Sequence, residues 1–157
     1  MKKKMILWIA VAFVLIALLI QLVPLPGRGN NPPIAAEPKW DSPQTRALAK
    51  RACFDCHSNE TVWPWYSYIA PVSWLLANDV RGAHAAFNFS DWHPGDMAAS
   101  VMAQQIMGDR MPLPQYRLMH PEARLTDAEK QQLIAGLTAT LGSPTVQPPT
   151  TAPATDG

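Results

Sequence analysis

The chain carries the pentapeptide Cys53-Phe54-Asp55-Cys56-His57, which contains both of its 2 cysteines. The two thiols are three residues apart and His57 follows the second, so on a helical turn the three side chains lie on one side. C-x-x-C-H is typical of c-type haem attachment, in which each thiol adds to one vinyl group of the porphyrin and the imidazole ligates the iron. We predict one covalent haem c on Cys53 and Cys56, with His57 as the proximal ligand.

Three other interpretations compete with haem attachment. A dithiol redox pair would be expected within a βαβ pattern, which the surrounding sequence lacks, and it would give His57 no role. Half of a structural zinc site would need two more ligands, and with only 2 cysteines in the chain these would have to be two separate histidines. The third is chance occurrence. Two cysteines this close together also exclude a disulfide-stapled secreted fold.

Length and charge limit the remaining classes of protein. The chain has 157 residues, which allows one domain of ordinary size with accessory segments. Its formal net charge is +1 and only 16% of its residues are charged. A nucleic-acid-binding protein would present a strongly basic face, so we expect no nucleic-acid partner.

An apolar stretch near the N-terminus predicts a membrane anchor. Residues 5–23 contain no charge and only one strongly polar side chain, Gln21. At ~1.5 Å per residue, the stretch is about as long as the ~30 Å hydrocarbon core of a bilayer is thick. Lysines occupy positions 2–4, whereas only Arg28 lies near the other end. The positive-inside rule therefore predicts a transmembrane anchor over residues 1–23, with a cytoplasmic N-terminus and the rest in the periplasm of a bacterial inner membrane.

Two alternatives to an uncleaved anchor remain. A signal peptide would usually have a shorter apolar region, followed by a cleavage site with small residues. Here Pro24-Leu25-Pro26-Gly27 follows, which is a poor cleavage site. A buried helix of a soluble core is disfavoured because the stretch is apolar on every side and has flanking lysines.

Proline content divides the rest of the chain into three parts. Residues 24–39 predict an extended stalk rich in proline, which favours the polyproline II conformation. Residues 143–157 are rich in proline, threonine and alanine and predict a disordered tail. Between them, residues 40–142 form the predicted cytochrome-c-like haem-binding domain.

Four helices are predicted in this domain, and no sheet, because no segment alternates with period two. The first covers residues 43–54 after the N-cap Ser42, with Ala47, Leu48 and Ala52 as its apolar side. The second begins at Ala70-Pro71 and has an apolar side made of Val72, Leu75, Leu76 and Ala83.

The third predicted helix is capped by Ser90 and runs to about Met107. The fourth runs from the capping box at residues 126–129 to about Thr140, with a buried stripe made of Leu133, Ile134 and Leu137. Four short helices make a thin core, which a large apolar cofactor would stabilise. The predicted fold is therefore mainly α, a small cytochrome-c-like helical domain wrapped around covalent haem and preceded by one transmembrane helix.

Met111 is the best candidate for the sixth iron ligand. Pro112 disfavours the helical conformation at Met111, so this thioether would hang from an extended strap that can lie against the distal face of the haem. An open or water-filled distal position is a further alternative. The remaining methionine and histidine candidates are Met97, Met102, Met107, Met119, His84, His93 and His120.

An aromatic stretch and one arginine complete the predicted cofactor site. Trp63 and Trp65, together with Trp74, would form a wall for the haem, with indole hydrogen bonds to its propionates. Ordinary core packing would explain the same residues. Arg110 is adjacent to Met111 and is the arginine that we expect to pair with a propionate; a solvated surface charge is the alternative.

Several further motifs resemble the bacterial haem-binding-domain family, whose members are single-haem, cytochrome-c-like proteins, often with an N-terminal anchor. The resemblance covers about residues 53–137 and implies covalent haem c on Cys53 and Cys56, His57 as a ligand and Met111 as the distal ligand. The motifs that carry it are Cys53-Phe54-Asp55-Cys56-His57-Ser58-Asn59-Glu60-Thr61, Trp63-Pro64-Trp65-Tyr66, Ile69-Ala70-Pro71-Val72-Ser73-Trp74, Asn88-Phe89-Ser90-Asp91-Trp92, Met111-Pro112-Leu113-Pro114-Gln115-Tyr116 and His120-Pro121-Glu122-Ala123-Arg124-Leu125.

The predicted function is one-electron transfer by a membrane-anchored periplasmic monohaem cytochrome c, working with redox partner proteins in the membrane or the periplasm. Two alternatives from other classes are a haem-based gas or redox sensor module and a small peroxidase-like enzyme. Both need an open or displaceable distal position, so the ligand role of Met111 distinguishes them from an electron carrier. We favour a carrier over an enzyme.

Overall fold

The structure, a computed structural model, describes residues 2–23 and 29–142. Within those ranges it is helical and has no strand, which confirms the predicted mainly α fold. One isolated parallel bridge joins Ala36 and Asp91. The predicted tail, residues 143–157, and the first part of the predicted stalk, residues 24–28, lie outside the described residues.

Seven α-helices and two short 3-10 helices make up the described chain. The 3-10 helices are Trp65–Tyr68 and Pro121–Ala123. The α-helices are α1 (Lys2–Ile20), α2 (Pro43–Ala52), α3 (Phe54–His57), α4 (Val72–Ala86), α5 (Ala99–Met107), α6 (Pro114–Met119) and α7 (Asp127–Leu141).

Helix α1 has the properties of a membrane span. It is long and apolar enough to cross a bilayer by length and composition, and none of its residues is buried. A signal sequence near the N-terminus shares these properties.

The chain forms two compact units. The first unit consists of Met1–Glu37 and Cys53–His93, and the second of Pro38–Ala52 and Pro94–Gly157. In the first unit, α4 packs against both α3 and the 3-10 helix Trp65–Tyr68. In the second unit, α7 packs against α5 and α2.

Local sequence signals position the ends of two helices as predicted. The Ser42 hydroxyl accepts a hydrogen bond from the Thr45 amide at 3.2 Å, and α2 begins at the next residue, Pro43. Thr126 and Glu129 form the predicted capping box at the start of α7. The first predicted helix is shorter than expected, because α2 ends at Ala52 and a new turn begins beyond Cys53.

Close approach of α2 and α7 determines which residues are buried in the second unit. Gly136 faces Thr45 so closely that a Cβ atom on Gly136 would stand 2.0 Å from the threonine Oγ1. Ala49 is buried in α2, whereas the predicted Ala47 is exposed, which corrects the predicted apolar side. In α7, Leu133 and Leu137 are buried as predicted, and Ile134 is only half-buried.

Two predictions for the middle of the chain were wrong. Ser90 does not cap the third predicted helix, because its side chain and backbone are used in a buried turn and α5 begins only at Ala99. The buried side of α4 consists of Ser73 and Ala77, while the predicted apolar residues Val72 and Leu75 are 41% and 51% exposed. Small side chains let α4 approach its neighbours closely, which turns the larger apolar ones outward.

The described part of the predicted stalk is extended and lies against the first unit. The amides of Ala35 and Ala36 both donate to the Ser90 carbonyl, at 2.8 and 3.1 Å, and the Trp92 amide donates to the Ala36 carbonyl at 3.0 Å. Asn31 donates to the Thr61 carbonyl at 2.8 Å. These hydrogen bonds hold the segment in place rather than leaving it a free linker.

Candidate functional site

The two cysteines and His57 lie on one tight helical turn at the start of α3. The amides of Cys56 and His57 both donate to the Cys53 carbonyl, at 3.1 and 2.8 Å. The backbone bonds place Cys53, Cys56 and His57 within one turn, at the spacing that the sequence predicts.

Long-range contacts orient the imidazole of His57. Its side chain is buried, its Nδ1 donates to the Phe87 carbonyl at 3.3 Å, and its ring stacks on the Phe87 ring with centroids 4.0 Å apart and planes 5° apart. Because a carbonyl only accepts, this contact places the proton on Nδ1 and the lone pair on Nε2. Burial lowers the pKa of His57, which favours the neutral ring that ligates metals.

The ends of α3 and α4 brace each other. His84 of α4 bonds through Nε2 to the Ser58 carbonyl at 3.0 Å, just as His57 of α3 bonds to the carbonyl at the end of α4. The Phe89 amide donates to the His57 carbonyl at 2.8 Å. The bonds with Phe87 and Phe89 therefore fix the ring and the backbone of His57, and the bond of His84 holds the next residue, Ser58.

A buried amide and hydroxyl network supports this arrangement. The Asn88 side chain donates to the Asn59 side-chain oxygen at 2.8 Å, and the backbone amide of Asn59 donates to the Ser90 hydroxyl at 2.9 Å. The Ser90 amide donates to the Asn88 side-chain oxygen at 2.8 Å, and Asn59 reaches the Pro33 carbonyl at 2.9 Å. The network joins the residues that follow His57 to those that follow Phe87, so the two segments keep one register.

The two thiols are protonated in this environment. Burial raises the pKa of Cys53 to about 12, and burial followed by the charges of Asp55 and Asp79 raises that of Cys56 to about 11. Reactive dithiol pairs instead have a lowered thiol pKa, so the environment does not favour thiolate redox chemistry here. Across residues 2–23 and 29–142, no three His, Cys, Asp or Glu side chains meet as a metal site would require.

Helix α4 carries side chains that fit a large, mostly apolar group. Leu75 is exposed on this helix, and Asp79, one turn further along, is a carboxylate whose charge acts on Cys56. Ser73 Oγ and Trp74 Nε1 on the same helix are buried without a hydrogen-bond partner. A porphyrin with propionates would supply both an apolar cover for the exposed leucine and acceptors for the unpaired donors.

The other predicted haem contacts fall in both units. Trp63 and Trp65 lie in the first unit with Cys53, and the Trp63 indole donates to Asn31 at 3.0 Å. Trp65 is 75% exposed. Arg110 and Met111 belong to the second unit, in the non-helical connection from α5 to α6, and both are exposed.

The competing distal ligands differ in how their side chains are used. Met102 is buried among the helices of the second unit, whereas Met107 and Met119 are exposed and Met97 is half-buried. The Nε2 atom of His84 is occupied by a backbone carbonyl. Two further histidines lie outside helices: His120, which stacks on Tyr116 and bonds to Glu122 at 3.0 Å, and His93, which is exposed.

Sequence reasoning missed the residues that hold His57. Phe87 supplies both a ring and a carbonyl, yet nothing in its local sequence marks it. Asn59 and Asn88 carried a signal, because polar residues beside apolar aromatic ones in two separate motifs are consistent with a buried pair. Their pairing could not be read from spacing, since about thirty residues separate them.

Comparisons with known proteins give one match. Residues 15–139 match the family described as "haem-binding domain". No curated protein and no solved structure matches the chain. The matched residues cover most of the chain and include Cys53, Cys56, His57 and the segments that brace them, and the chain therefore belongs to the haem-binding domain family.

Proposed function

We propose that this haem protein is a membrane-anchored periplasmic monohaem c-type cytochrome for one-electron transfer. Cys53 and Cys56 would hold the porphyrin through thioethers, and His57 and Met111 would supply the iron ligands. Haem bound in this way supplies a ferric–ferrous couple, and a thioether ligand raises its reduction potential relative to a second imidazole. The partners are redox proteins of the membrane or the periplasm.

The hydrogen bond from His57 to the Phe87 carbonyl is the observation that carries the proposal. It favours the proton on Nδ1, and burial lowers the pKa of the ring, which favours a neutral imidazole with Nε2 as the ligand atom. Stacking on Phe87 restricts ring rotation. A ligand held this rigidly reorganises little between two oxidation states, which favours electron transfer over ligand exchange.

Membrane attachment rests on α1. Its apolar composition and the lysines at positions 2–4 support an uncleaved anchor with the haem domain on the periplasmic side. An anchored carrier stays at a high effective concentration near membrane-bound donors. Attachment is tested by washing membranes with alkaline carbonate: the full-length protein should stay with the membrane, and release of a chain that begins after residue 23 would indicate a cleaved signal peptide.

The role of Met111 separates a carrier from a sensor or a peroxidase. Methionine ligation of ferric iron gives a weak near-infrared charge-transfer band. We expect this band in the wild-type protein, its loss in Met111→Ala together with a lower reduction potential, and its retention in Met107→Ala. Met107 is a matched control because it is also an exposed methionine at the end of α5.

Two outcomes would change the proposal. High-spin iron that binds carbon monoxide readily in the wild-type protein would replace the carrier with a sensor or an enzyme. A coordination change in His84→Ala but not in Met111→Ala would leave an electron carrier with two imidazole ligands and a lower potential.

A further inference from the structure

Gln21 connects the apolar N-terminal helix to the first unit. It follows α1 directly and is the one strongly polar side chain in residues 5–23. Its Oε1 accepts from the Ala70 amide at 2.9 Å, and its Nε2 donates to the carbonyls of Ala70 and Ala17 at 3.2 and 3.0 Å. The side chain therefore pairs with both backbone groups of Ala70, which fixes a register and not only a proximity.

Three exposed, uncharged side chains precede Ala70 in the chain. They are Trp65, Tyr68 and Ile69, which are 75%, 50% and 46% exposed, and we call them the interfacial surface. No charged residue occurs between Glu60 and Asp79. Contiguous exposed apolar patches mark interaction surfaces, whereas single exposed apolar residues are common on any protein surface.

A second contact ties the returning chain to the same surface. Gly29 lies so close to Tyr68 that a Cβ atom on the glycine would stand 3.2 Å from the tyrosine hydroxyl. Gln21, next to the end of α1, and Gly29 thus both contact this part of the first unit. Whatever α1 is embedded in, the interfacial surface lies beside its end.

The chemistry of this surface fits the layer between lipid tails and water. Tryptophan and tyrosine are enriched there because their rings are apolar and their tips are polar. The Gln21 amide, at the end of a helix that would span the hydrocarbon, is already paired with backbone groups, so it can lie at this boundary without an unsatisfied polar group.

We propose that Gln21 docks the first unit on the membrane surface, with Trp65, Tyr68 and Ile69 lying in the lipid headgroup layer. This inference rests on the proposed membrane anchoring. It assigns to lipid the Trp65 side chain that the sequence suggested as a haem contact. The first unit is then held in one orientation at the membrane instead of moving freely on a tether.

The experiment uses full-length, haem-loaded, reduced protein labelled with 5-fluorotryptophan in bilayer nanodiscs. A gadolinium-chelate lipid in the headgroup layer broadens the fluorine signals of nearby tryptophans. Trp8 within α1 reports on the anchor, and Trp65→Phe identifies the Trp65 signal. We expect strong broadening of Trp65. In Gln21→Leu, which removes the amide and keeps the apolar helix, this broadening should fall severalfold while that of Trp8 is unchanged.

Each other outcome overturns a defined statement. If Trp8 is broadened and Trp65 is not, the protein is anchored but undocked, and the proposal is wrong. If neither is broadened, membrane anchoring itself fails. If the Trp65 signal ignores the gadolinium lipid but broadens when the haem is oxidised, haem covers the surface instead of lipid. Equal broadening in wild type and Gln21→Leu would show that Gln21 is not the docking residue.

Discussion

The two units of this chain are built in opposite ways. In the second unit the buried residues are almost all apolar, with Thr45 as the polar exception. The apolar ones are Leu48, Ala49, Ala52, Ala99, Met102, Ile106, Ala123, Leu133 and Leu137. In the first unit four buried residues are apolar, namely Phe54, Ala70, Ala77 and Phe89. Seven are polar: His57, Ser58, Asn59, Thr61, Ser67, Ser73 and Ser90. The first unit also leaves large apolar side chains of α4 exposed, such as Leu75.

This difference indicates which unit depends on the cofactor for its stability. A core of leucine, isoleucine and alanine is stabilised by burial of its own surface. A core of serine and asparagine is held by hydrogen bonds, each of which contributes little net stability but fixes geometry. The first unit therefore has a precise frame around His57 and too little apolar burial of its own, which is the condition that covalent haem would correct.

Removal of haem is expected to have the largest effect and to affect one unit. In Cys53→Ala with Cys56→Ala, hydrogen exchange should lose most of its protection in α4, while α7 stays protected. The reason is that α4 loses the apolar partner of its exposed side. Exchange measured by mass spectrometry on both helices tests this. Wild-type protection of α4 in the haem-free variant would contradict the comparison.

A single added methyl group should destabilise the second unit strongly. Gly136→Ala places a Cβ atom 2.0 Å from Thr45 Oγ1, so α2 and α7 must separate. We expect a loss of about 3 kcal/mol in the opening free energy of α7, near the upper end of the usual cost of overpacking.

The matched control for that variant is Gly82→Ala on α4, where nothing lies within 4 Å of the new atom. Because glycine loses more conformational freedom on folding than alanine does, this variant should gain about 0.5–1 kcal/mol of stability. Equal effects of the two substitutions would show that the close approach of α2 and α7 is not a structural requirement.

Loss of one hydroxyl should loosen the polar frame of the first unit. Ser90→Ala leaves the buried Asn59 amide without its acceptor, and we expect a loss of about 2 kcal/mol in the opening free energy around His57. The exposed Ser100 on α5 gives the control, and Ser100→Ala should change stability by less than about 0.5 kcal/mol. Unchanged hydrogen exchange near His57 in Ser90→Ala would show that this hydrogen-bond network does not stabilise the region around His57.

The smallest expected effect is an acid dependence of the second unit. Hydrogen bonds from the Thr126 amide and from Arg51 lower the pKa of Glu129 to about 2, from an ordinary 4.5. Because the folded pKa is the lower one, the contribution to stability is complete above pH 4.5 and declines as the pH falls towards 2. A carboxyl carbon titration of Glu129 should therefore have its midpoint near 2. A midpoint at the ordinary value would contradict the capping geometry.

Signals that act within one turn could be predicted from the sequence. Four such features depend on residues fewer than five positions apart. They are the capping box at Thr126, the start of α2 after Ser42, the end of α5 at Met107 and the turn of the C-x-x-C-H pentapeptide. Such contacts form whenever the local backbone is helical, so spacing alone specifies them.

Features that depend on distant partners could not be predicted. Ser90 suits a helix cap by its residue type, yet its hydroxyl is used by Asn59, thirty-one residues away. The apolar spacing of Val72 and Leu75 predicts a buried side only if protein covers it, and in the first unit α4 packs through Ser73 and Ala77 instead. The orientation of His57 depends on Phe87 for the same reason.

The most direct test of the central claim is the intact mass of the wild-type protein after denaturation. The protein is produced with a haem-c maturation system, unfolded in acid and organic solvent, and weighed. The account predicts a mass equal to the chain plus one haem, and the mass of the bare chain when Cys53 and Cys56 are both replaced by alanine. A wild-type chain that loses its haem on denaturation would contradict covalent attachment and, with it, the c-type electron carrier.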